Sequence, residues 1–288
     1  MQELAESPPL FEAPCWVENL GETIYRAHPS FSSSMARKIL KSPAHLMASI
    51  LEPSEQTPAM IFGTRLHQAA LFGFRTLKAV ARPDDYDGRK TLWKDWQAEN
   101  DRNGITVLSQ EDHRAITTIC EKLSNDEDYR AAITSTFKER AGFANVQAGE
   151  YEFLAKVRLD CLPAGDTIID IKTTTSAEVD DFAWSVLKYG YHIQAYHYLT
   201  VANKILEAEG KPTKQHFMFF AVEKEPPFAH RKFLLSNRFM LLAETEWMKG
   251  AEMYGKCLKD GKWPGYPDKI ALIEPPRFTS ERYLADEL

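Results

Sequence analysis

Two acidic residues and a lysine lie close together in the middle of the chain. Asp160 ends the segment 152–160, and Asp170 precedes Lys172 by two positions in the segment 168–172. Because side chains alternate across a strand with a period of two, Asp170 and Lys172 are expected on the same face. Two carboxylates beside an amine form a site for a hard divalent cation. Such a site suits metal-assisted cleavage of a phosphodiester.

Each of these residues has a distinct chemical role in such a site. Asp160 and Asp170 would supply carboxylate oxygens to Mg²⁺, and the carbonyl of Ile171 could supply a third oxygen. The Lys172 ammonium would stabilise negative charge at the phosphorus or position the attacking water. The alternative is a solvated polar face of a strand, which is the commoner role of an Asp-x-Lys triplet taken alone.

The elements around the triplet favour the catalytic interpretation. In 152–160 charged and apolar residues alternate, so Asp160 is in phase with Arg158, and a turn at 163–166 leads into a strand at 167–172. The two strands are therefore predicted to pair as a hairpin.

Two helices carry further candidates. His67 lies in a mostly apolar helix over 59–72, where an imidazole can complete a metal shell or can simply be packed. Gln194 and Tyr198 are four positions apart on a helix after the hairpin and so share a face. They could orient the lysine or contact a phosphate, or they could form an ordinary helix flank.

Composition places the chain among ordinary globular proteins. It has 288 residues, of which 44% are hydrophobic and 26% charged, and its net charge is −6. It has no apolar run of the roughly 20 residues that a membrane helix needs, and its acidic, proline-containing start does not resemble a signal peptide. We therefore expect a cytoplasmic protein without a membrane partner. The cysteines are too far apart for a zinc ribbon and are expected to be reduced thiols: Cys15, Cys120, Cys161 and Cys257.

The chain is predicted to be one domain after a loosely ordered N-terminal segment, 1–24. Within 25–288 we expect a helical part at 25–140, a catalytic core at 141–225, and a last helix and tail at 226–288. Helices alternate with a hairpin and a later apolar strand at 217–222. This order predicts an α/β (α+β) fold with a central mixed sheet flanked by helices.

Basic residues in two places could contact a DNA backbone. Arg37, Lys38 and Lys41 lie on an early helix, where they could face phosphates or water. Arg158, in phase with Asp160, is the better candidate for a phosphate near the metal. The negative net charge does not exclude DNA binding, because a local basic groove matters more than the total.

An ordered set of motifs resembles the PD-(D/E)XK nuclease superfamily. It is most similar to the C-terminal nuclease group of RecE (exonuclease VIII), which is related to the RecB nuclease domain and to phage recombination exonucleases. The motifs that carry the resemblance are Ser32-Ser33-Ser34, Ser42-Pro43-Ala44-His45, Gly63-Thr64-Arg65-Leu66-His67, Lys156-Val157-Arg158-Leu159-Asp160, Ile169-Asp170-Ile171-Lys172-Thr173-Thr174, Tyr191-His192-Ile193-Gln194-Ala195-Tyr196-His197-Tyr198 and Phe219-Phe220-Ala221-Val222-Glu223-Lys224-Glu225-Pro226-Pro227.

The resemblance implies a restriction-endonuclease-like core and a definite set of site residues. The implied metal ligands are His67, Asp160, Asp170 and the carbonyl of Ile171, and the implied catalytic residues are Asp160, Asp170, Lys172, Gln194 and Tyr198, the last two from a Q-x-x-x-Y motif. It implies Mg²⁺, with Mn²⁺ as a substitute, and no iron–sulfur cluster, since only Cys257 lies in the C-terminal part.

The implied activity is ATP-independent digestion of linear double-stranded DNA from its ends, 5′ to 3′. It would leave 3′ single strands for an annealing partner in a phage-type recombination system, and a homo-oligomeric ring is expected. The chain departs from many relatives in having Asp rather than Glu before x-Lys. An endonuclease of the same fold, a non-catalytic DNA-end-binding module and a plain α/β scaffold are the alternatives.

Overall fold

A six-stranded mixed sheet lies at the centre of the computed structural model, which describes residues 12–52, 55–134 and 138–273. The strands, in chain order, are β1 (Cys15–Val17), β2 (Ala79–Ala81), β3 (Thr106–Leu108), β4 (Lys138–Ala148), β5 (Tyr151–Cys161), β6 (Thr167–Thr174), β7 (His216–Glu223) and β8 (His230–Leu234). The large sheet has the order β1–β4–β5–β6–β7–β8, in which β6 and β7 are parallel and the other neighbours antiparallel. The small strands β2 and β3 pair separately in parallel. The predicted mixed sheet and α/β fold are confirmed.

Helices cover both faces of the large sheet. They are α1 (Glu22–Ala27), α2 (Ser33–Ile39), α3 (Pro43–Leu51), α4 (Pro58–Phe72), α5 (Thr91–Arg102), α6 (Gln110–Ser124), α7 (Glu127–Ile133), α8 (Val179–Tyr189), α9 (Tyr191–Ala208) and α10 (Asn237–Asp260), with a 3₁₀ turn at Phe74–Thr76. Side-chain caps fix several starts, since the hydroxyls of Ser42, Ser109 and Ser236 accept hydrogen bonds from backbone N–H groups of the first turns of α3, α6 and α10. No helix in the described part of the chain is both long and apolar enough to cross a membrane.

Two apolar cores lie on opposite sides of the sheet. One packs the sheet against α2, α9 and α10, and the other packs it against α4, α6 and α7. Side chains of β6 alternate between the two cores. Ile168 belongs to the first core, and Ile169 and Ile171 belong to the second. Each such side chain stabilises the fold by roughly 1.5–3 kcal/mol through burial. The same alternation places Asp170 and Lys172 on the α9 side of the sheet.

Gly190 makes the sharp change of direction between α8 and α9. Its φ of 69° is left-handed, and it ends α8 and begins α9 without an intervening loop. The first turn of α9 is thereby held close to the middle of the sheet. A side chain here would also collide with Arg37, since an added Cβ would lie 2.6 Å from its Cδ.

The N-terminal part departs from the predicted loosely ordered segment 1–24. Strand β1 pairs with the edge of β4, and Trp16 lies over Gly142, where an added Cβ would come within 2.6 Å of its ring. Such a short strand has no recognisable pattern, because its stability comes from a partner about 125 positions away in the chain. Residues 1–11 lie outside the described part.

Other differences are local. The first long strand of the sheet, β4, begins at Lys138, three residues before the predicted start of the catalytic core at 141. Helix α7 and strand β8 were not predicted from sequence. Residues 261–273 form no helix or strand and are mostly exposed, and the rest of the predicted surface tail, 274–288, lies outside the described residues. The tail contacts the body at Pro264, whose carbonyl accepts a hydrogen bond from the N–H of Ala44.

Candidate active site

The predicted carboxylates meet where β5 and β6 begin to separate. The ladder between these strands pairs Cys161 with Ile169, and one further step would place Asp160 opposite Asp170. The ladder stops there, and the Ile171 N–H instead donates to Asp160 Oδ2 at 2.9 Å. A side chain thus takes the place of a backbone acceptor, which opens the sheet locally and holds Asp160 beside β6.

His67 brings α4 to this opening. Its Nδ1 lies 3.4 Å from Asp160 Oδ2, and both side chains are largely buried. Burial disfavours the charged form of each, but mutual attraction outweighs that effect, so the pKa of His67 rises to about 9 and the pKa of Asp160 falls below its ordinary value. In this arrangement His67 is an imidazolium paired with a carboxylate.

Asp170 is the most deeply buried acid of the site, with a side chain only 2% exposed. Gln194 Nε2 donates to its Oδ1 at 2.9 Å, and Lys172 Nζ lies 2.5 Å from its Oδ2. Burial raises the pKa of Asp170 to about 6, despite the nearby ammonium. Burial alone would lower the pKa of Lys172, but Asp170 and Asp160 raise it above its ordinary value, so the amine stays charged.

Two tyrosines of α9 complete the surroundings of the lysine. The ring of Tyr191 lies under Lys172, with its centroid 5.0 Å from Nζ. Burial raises the pKa of Tyr198 well above 10, and the charges of Asp170 and Asp160 add to this effect. Tyr198 therefore stays a neutral hydroxyl near both acids.

Tyr191 lies within one of the motifs that carry the resemblance, but no role is predicted for it from sequence. The signal that identifies it is helical spacing, since Tyr191, Gln194 and Tyr198 stand at i, i+3 and i+7 and so form one stripe along α9. That stripe faces the site.

The donor set fits a divalent metal, although the residues are not grouped as a ready-made site. Among the described residues no cluster of three or more His, Cys, Asp or Glu side chains is positioned to hold an ion, because His67 pairs with Asp160 and Lys172 with Asp170. Asp170 Oδ2 is buried and forms an ion pair with Lys172. It accepts no hydrogen bond of good geometry from the described residues. A buried carboxylate oxygen with an unmet lone pair suits a hard cation. The Ile171 carbonyl remains a predicted ligand.

A cleft of about 490 Å³ opens beside these residues. One wall is formed by α4 and includes His67, and the other by the end of α8 and the start of α9. Thr173, Thr174 and Thr175, which follow Lys172 in the chain, also line the cleft. His67 and Tyr191, which contact Asp160 and Lys172, thus border an open groove of the size of a small-ligand site.

The predicted basic residues separate into two groups. Arg37, Lys38 and Lys41 line a second cleft of about 420 Å³ together with Lys188. Within the described residues none of these four forms an ion pair, although Glu246, which is hydrogen-bonded to His192, also lines the cleft. Burial and the neighbouring charge of Arg37 lower the pKa of Lys38.

Arg158, the other predicted phosphate contact, is engaged elsewhere. Its Nη2 lies 2.8 Å from Glu139 Oε2, and its side chain is only 21% exposed. The guanidinium also lies 5.9 Å from the ring of Tyr25. Its charge is therefore partly offset before any phosphate approaches.

Comparison with known proteins places this geometry in a family. Residues 32–276 match the family described as PDDEXK-like domain of unknown function (DUF3799). No curated protein matches the sequence significantly. A crystal structure of a candidate exonuclease from Eubacterium rectale is similar in fold, with a TM-score of 0.55 and 13% identity over 88% of this chain and 93% of that one.

Two further structures are more distant. A phage-related exonuclease from Haemophilus somnus is 14% identical over 82% of this chain and 97% of its own, with a TM-score of 0.32. An alkaline exonuclease from Laribacter hongkongensis is 15% identical over 68% and 95%, with a TM-score of 0.25. Scores this low carry no argument about the fold.

The family match and the first of these structures confirm the restriction-endonuclease-like fold predicted from the motifs. PDDEXK nucleases generally use divalent metals, which agrees with the chemistry of the donor set. Since the matched region covers most of the chain and contains the acids, the lysine and the stripe of α9, the protein belongs to the PDDEXK-like family.

Proposed function

We propose that this protein is a Mg²⁺-dependent exodeoxyribonuclease that digests linear double-stranded DNA from its ends without ATP. The observation that carries the proposal is the buried set of Asp160, Asp170 and Lys172, which His67 and Gln194 hold beside an open cleft. Burial of charged groups costs folding free energy unless the charges are paired. Three ionisable groups buried at one opening of the sheet are therefore more typical of a functional site than of a plain scaffold.

A role follows for each side chain of the donor set under this proposal. His67, Asp160 and Asp170 would hold the metal with the Ile171 carbonyl, and a bound divalent ion supplies charge neutralisation on the phosphate and a more acidic water. For Asp170 to bind a cation it must be deprotonated, and the nearby Lys172 charge favours that form. His67 must release its proton, which would leave its ring nitrogen free as a donor of electrons.

Lys172 supplies a fixed positive charge at the reacting phosphate. Its ammonium is buried, remains charged, and is positioned between the Asp170 carboxylate and the Tyr191 ring. A preorganised charge of this kind acts where negative charge increases in the transition state, and it costs no reorganisation of water at that moment. Gln194 and Tyr198 would act one step back, Gln194 by orienting the Asp170 carboxylate and Tyr198 by remaining a neutral hydroxyl beside it.

Two further parts of the proposal concern the substrate and the assembly. The basic cleft lined by Arg37, Lys38, Lys41 and Lys188 is suited to the DNA backbone, whereas Arg158 is less suited because of its pairing with Glu139. Digestion from the 5′ end, a homo-oligomeric ring and delivery of 3′ strands to an annealing protein are proposed from the resemblance to the RecE group.

The test is digestion of linear duplex DNA labelled at the 5′ or the 3′ end, with Mg²⁺ and without ATP, beside a closed circular duplex. We expect early release of the 5′ label, a spared circle and no activity in Asp170→Ala, with Asp268→Ala as a matched control outside the site. Cutting of the circle would indicate an endonuclease instead. No metal-dependent cutting of any substrate, together with retained binding to DNA ends, would indicate a binding module.

A further inference from the structure

The cleft beside the acids has an aromatic wall that the proposed chemistry does not use. Tyr189 and Tyr191 both line it, with ring centroids 5.6 Å apart and an angle of 30° between the planes. The ring of Tyr189 is at the outer end, since Tyr189 is 48% exposed, and the ring of Tyr191 is at the inner end under Lys172. The two rings thus lead from solvent to the catalytic lysine.

Lysine side chains lie close to both tyrosine rings. Lys188 Nζ lies 5.5 Å from the centroid of Tyr189, Lys172 Nζ lies 5.0 Å from that of Tyr191, and Lys224 also lines the cleft. Rings alternating with positive charges suit a flexible polyanion that has flat bases. Among the described residues that line this cleft, none carries a carboxylate.

Besides His67 and Lys224, the polar side chains that line the cleft in the described part of the chain are mostly hydroxyls. Thr64, Thr173, Thr175 and Ser185 line it, and none of their hydroxyls forms a hydrogen bond to another group in the described part of the chain. Their donors are therefore available to phosphate or sugar oxygens. Ser185 lies on α8, the helix that also carries Tyr189.

The volume of the cleft fits a single nucleic-acid strand but not a duplex. At about 490 Å³ it is comparable to sites that hold one drug-sized ligand, which is the scale of one or two nucleotides and far below that of a duplex turn. Within a duplex the faces of the bases are covered by their neighbours, so a ring can stack on a base only where the strand is unpaired.

We infer that the cleft receives an unpaired DNA strand, and that Tyr189 stacks on a base as the strand passes towards Tyr191 and Lys172. This inference rests on the proposed function and adds that the strand is single at the point of cleavage. A linear duplex must then fray at its end before it is cut, and ends that already carry unpaired nucleotides are the better substrates.

Binding can be tested without cleavage, in metal-free buffer with EDTA. The probes are single-stranded oligonucleotides that carry 2-aminopurine near the 5′ end or near the 3′ end, since stacking on an aromatic ring quenches this base. We expect quenching with the wild type and with Tyr189→Phe, which keeps the ring. Tyr189→Ala should lose the quenching and bind about 5- to 100-fold more weakly, the range expected for loss of one stacked base.

Trp184→Ala is the matched control. Trp184 is 72% exposed on the same helix but does not line the cleft, so its removal should leave binding and quenching unchanged. Thermal unfolding of each variant verifies the fold. Wild-type binding to a blunt duplex of the same sequence should be weaker than to the single strand, and cleavage with Mg²⁺ should be faster for a frayed end than for a blunt one.

Several results would overturn the inference. These are wild-type binding without quenching at either position, Tyr189→Ala binding as tightly as wild type, or Tyr189→Phe as weak as Tyr189→Ala. The proposed function fails differently, through absence of metal-dependent cutting of any DNA, and that outcome leaves the quenching result intact. Conversely, an active exonuclease that shows no quenching would keep the proposed function and remove this inference.

Discussion

At the scale of single residues, the site consists of charges that are paired before any substrate arrives. Asp160 is held by His67 and the Ile171 N–H, and Asp170 by Gln194 and Lys172. These partners fix each carboxylate in orientation, which is a requirement for a precise metal or phosphate site. The same pairing explains how charged groups can be buried here, since an unpaired buried charge would shift its pKa and become neutral.

Replacement of Lys172 separates catalysis from binding. Lys172→Met retains much of the length of the side chain but removes the charge, so we expect a loss of about 100- to 1000-fold or more in the cleavage rate. DNA affinity in EDTA should fall far less than the cleavage rate, because the amine is paired with Asp170 and is one of several cations beside the cleft. Rates are measured on end-labelled duplex and affinity by fluorescence anisotropy.

The matched control is Lys204→Met, an exposed lysine on α9 that lines neither cleft. It should keep full activity. Retention of wild-type cleavage by Lys172→Met would contradict the assigned role of the ammonium. Loss of cleavage together with loss of the cooperative unfolding transition would show that the lysine is needed for folding.

At the scale of elements, α9 combines function and structure on different faces. Its stripe of Tyr191, Gln194 and Tyr198 faces the site, while His197 is fully buried on another side. Trp247 Nε1 on α10 donates to His197 Nδ1, and His197 Nε2 lies 2.9 Å from the carbonyl of Lys156 on β5. This network requires a neutral ring with its proton on Nε2, and it fastens α9 to its neighbours.

The stability of the protein should therefore depend on pH through His197. Burial lowers its pKa to about 4 from an ordinary value of 6.5, so between these values the unfolded chain binds a proton that the folded chain does not. Stability then rises with pH across this window and is lost as pH falls. We expect His197 to cost about 2 to 3 kcal/mol of unfolding free energy between pH 7 and pH 4.5.

Urea unfolding at both pH values measures this contribution. His197→Gln should be less stable at pH 7 but should lose correspondingly less stability on acidification, since the titrating group is gone. His216→Gln, at an exposed histidine, is the control and should follow the wild type. An equal pH dependence in His197→Gln and wild type would contradict the prediction.

At the scale of the whole molecule, the net charge of −6 conceals a local excess of positive charge. Residues from α2 and from the end of α8 bring Arg37, Lys38, Lys41 and Lys188 to one cleft, and Gly190 belongs to its lining. Tyr189 and Tyr191, on either side of Gly190 in the chain, line the cleft beside the acids instead. The α8–α9 junction therefore contributes residues to both clefts.

Neutralisation of the basic cleft should change how DNA binding depends on salt. In Arg37→Gln/Lys38→Gln/Lys41→Gln, each lost phosphate contact should reduce the slope of log affinity against log salt by about 0.9. Duplex affinity in EDTA is measured from roughly 50 to 200 mM salt. The cleavage rate at saturating DNA should change little, because these side chains do not contact the acids.

Lys211→Gln is the control for this triple variant. Lys211 follows the far end of α9, about 27 Å from its first residue by helix geometry, and pairs with Glu209. It should leave the slope unchanged. An unchanged slope in the triple variant would show that phosphates do not enter the basic cleft.

Much of the fold and of the site could be predicted from sequence because the relevant signals are local. The period of β5 and β6, the turn between them and the i, i+4 spacing of Gln194 and Tyr198 all express short-range geometry. Long helices such as α4, α6 and α10 follow from apolar periodicity and capping hydroxyl residues. The acids, the lysine and the hairpin that carries them were thus determined by the sequence itself.

Only the tertiary structure decided which groups meet across large separations in the chain. Strand β1 exists because an edge of β4 is available, Arg158 is paired because Glu139 lies on the neighbouring strand, and Arg37 reaches the α8–α9 junction because Gly190 has no side chain. His67 meets Asp160 for the same kind of reason, since packing of α4 on the sheet brings them together. Such contacts depend on the free energy of the whole packed chain, and no local pattern records them.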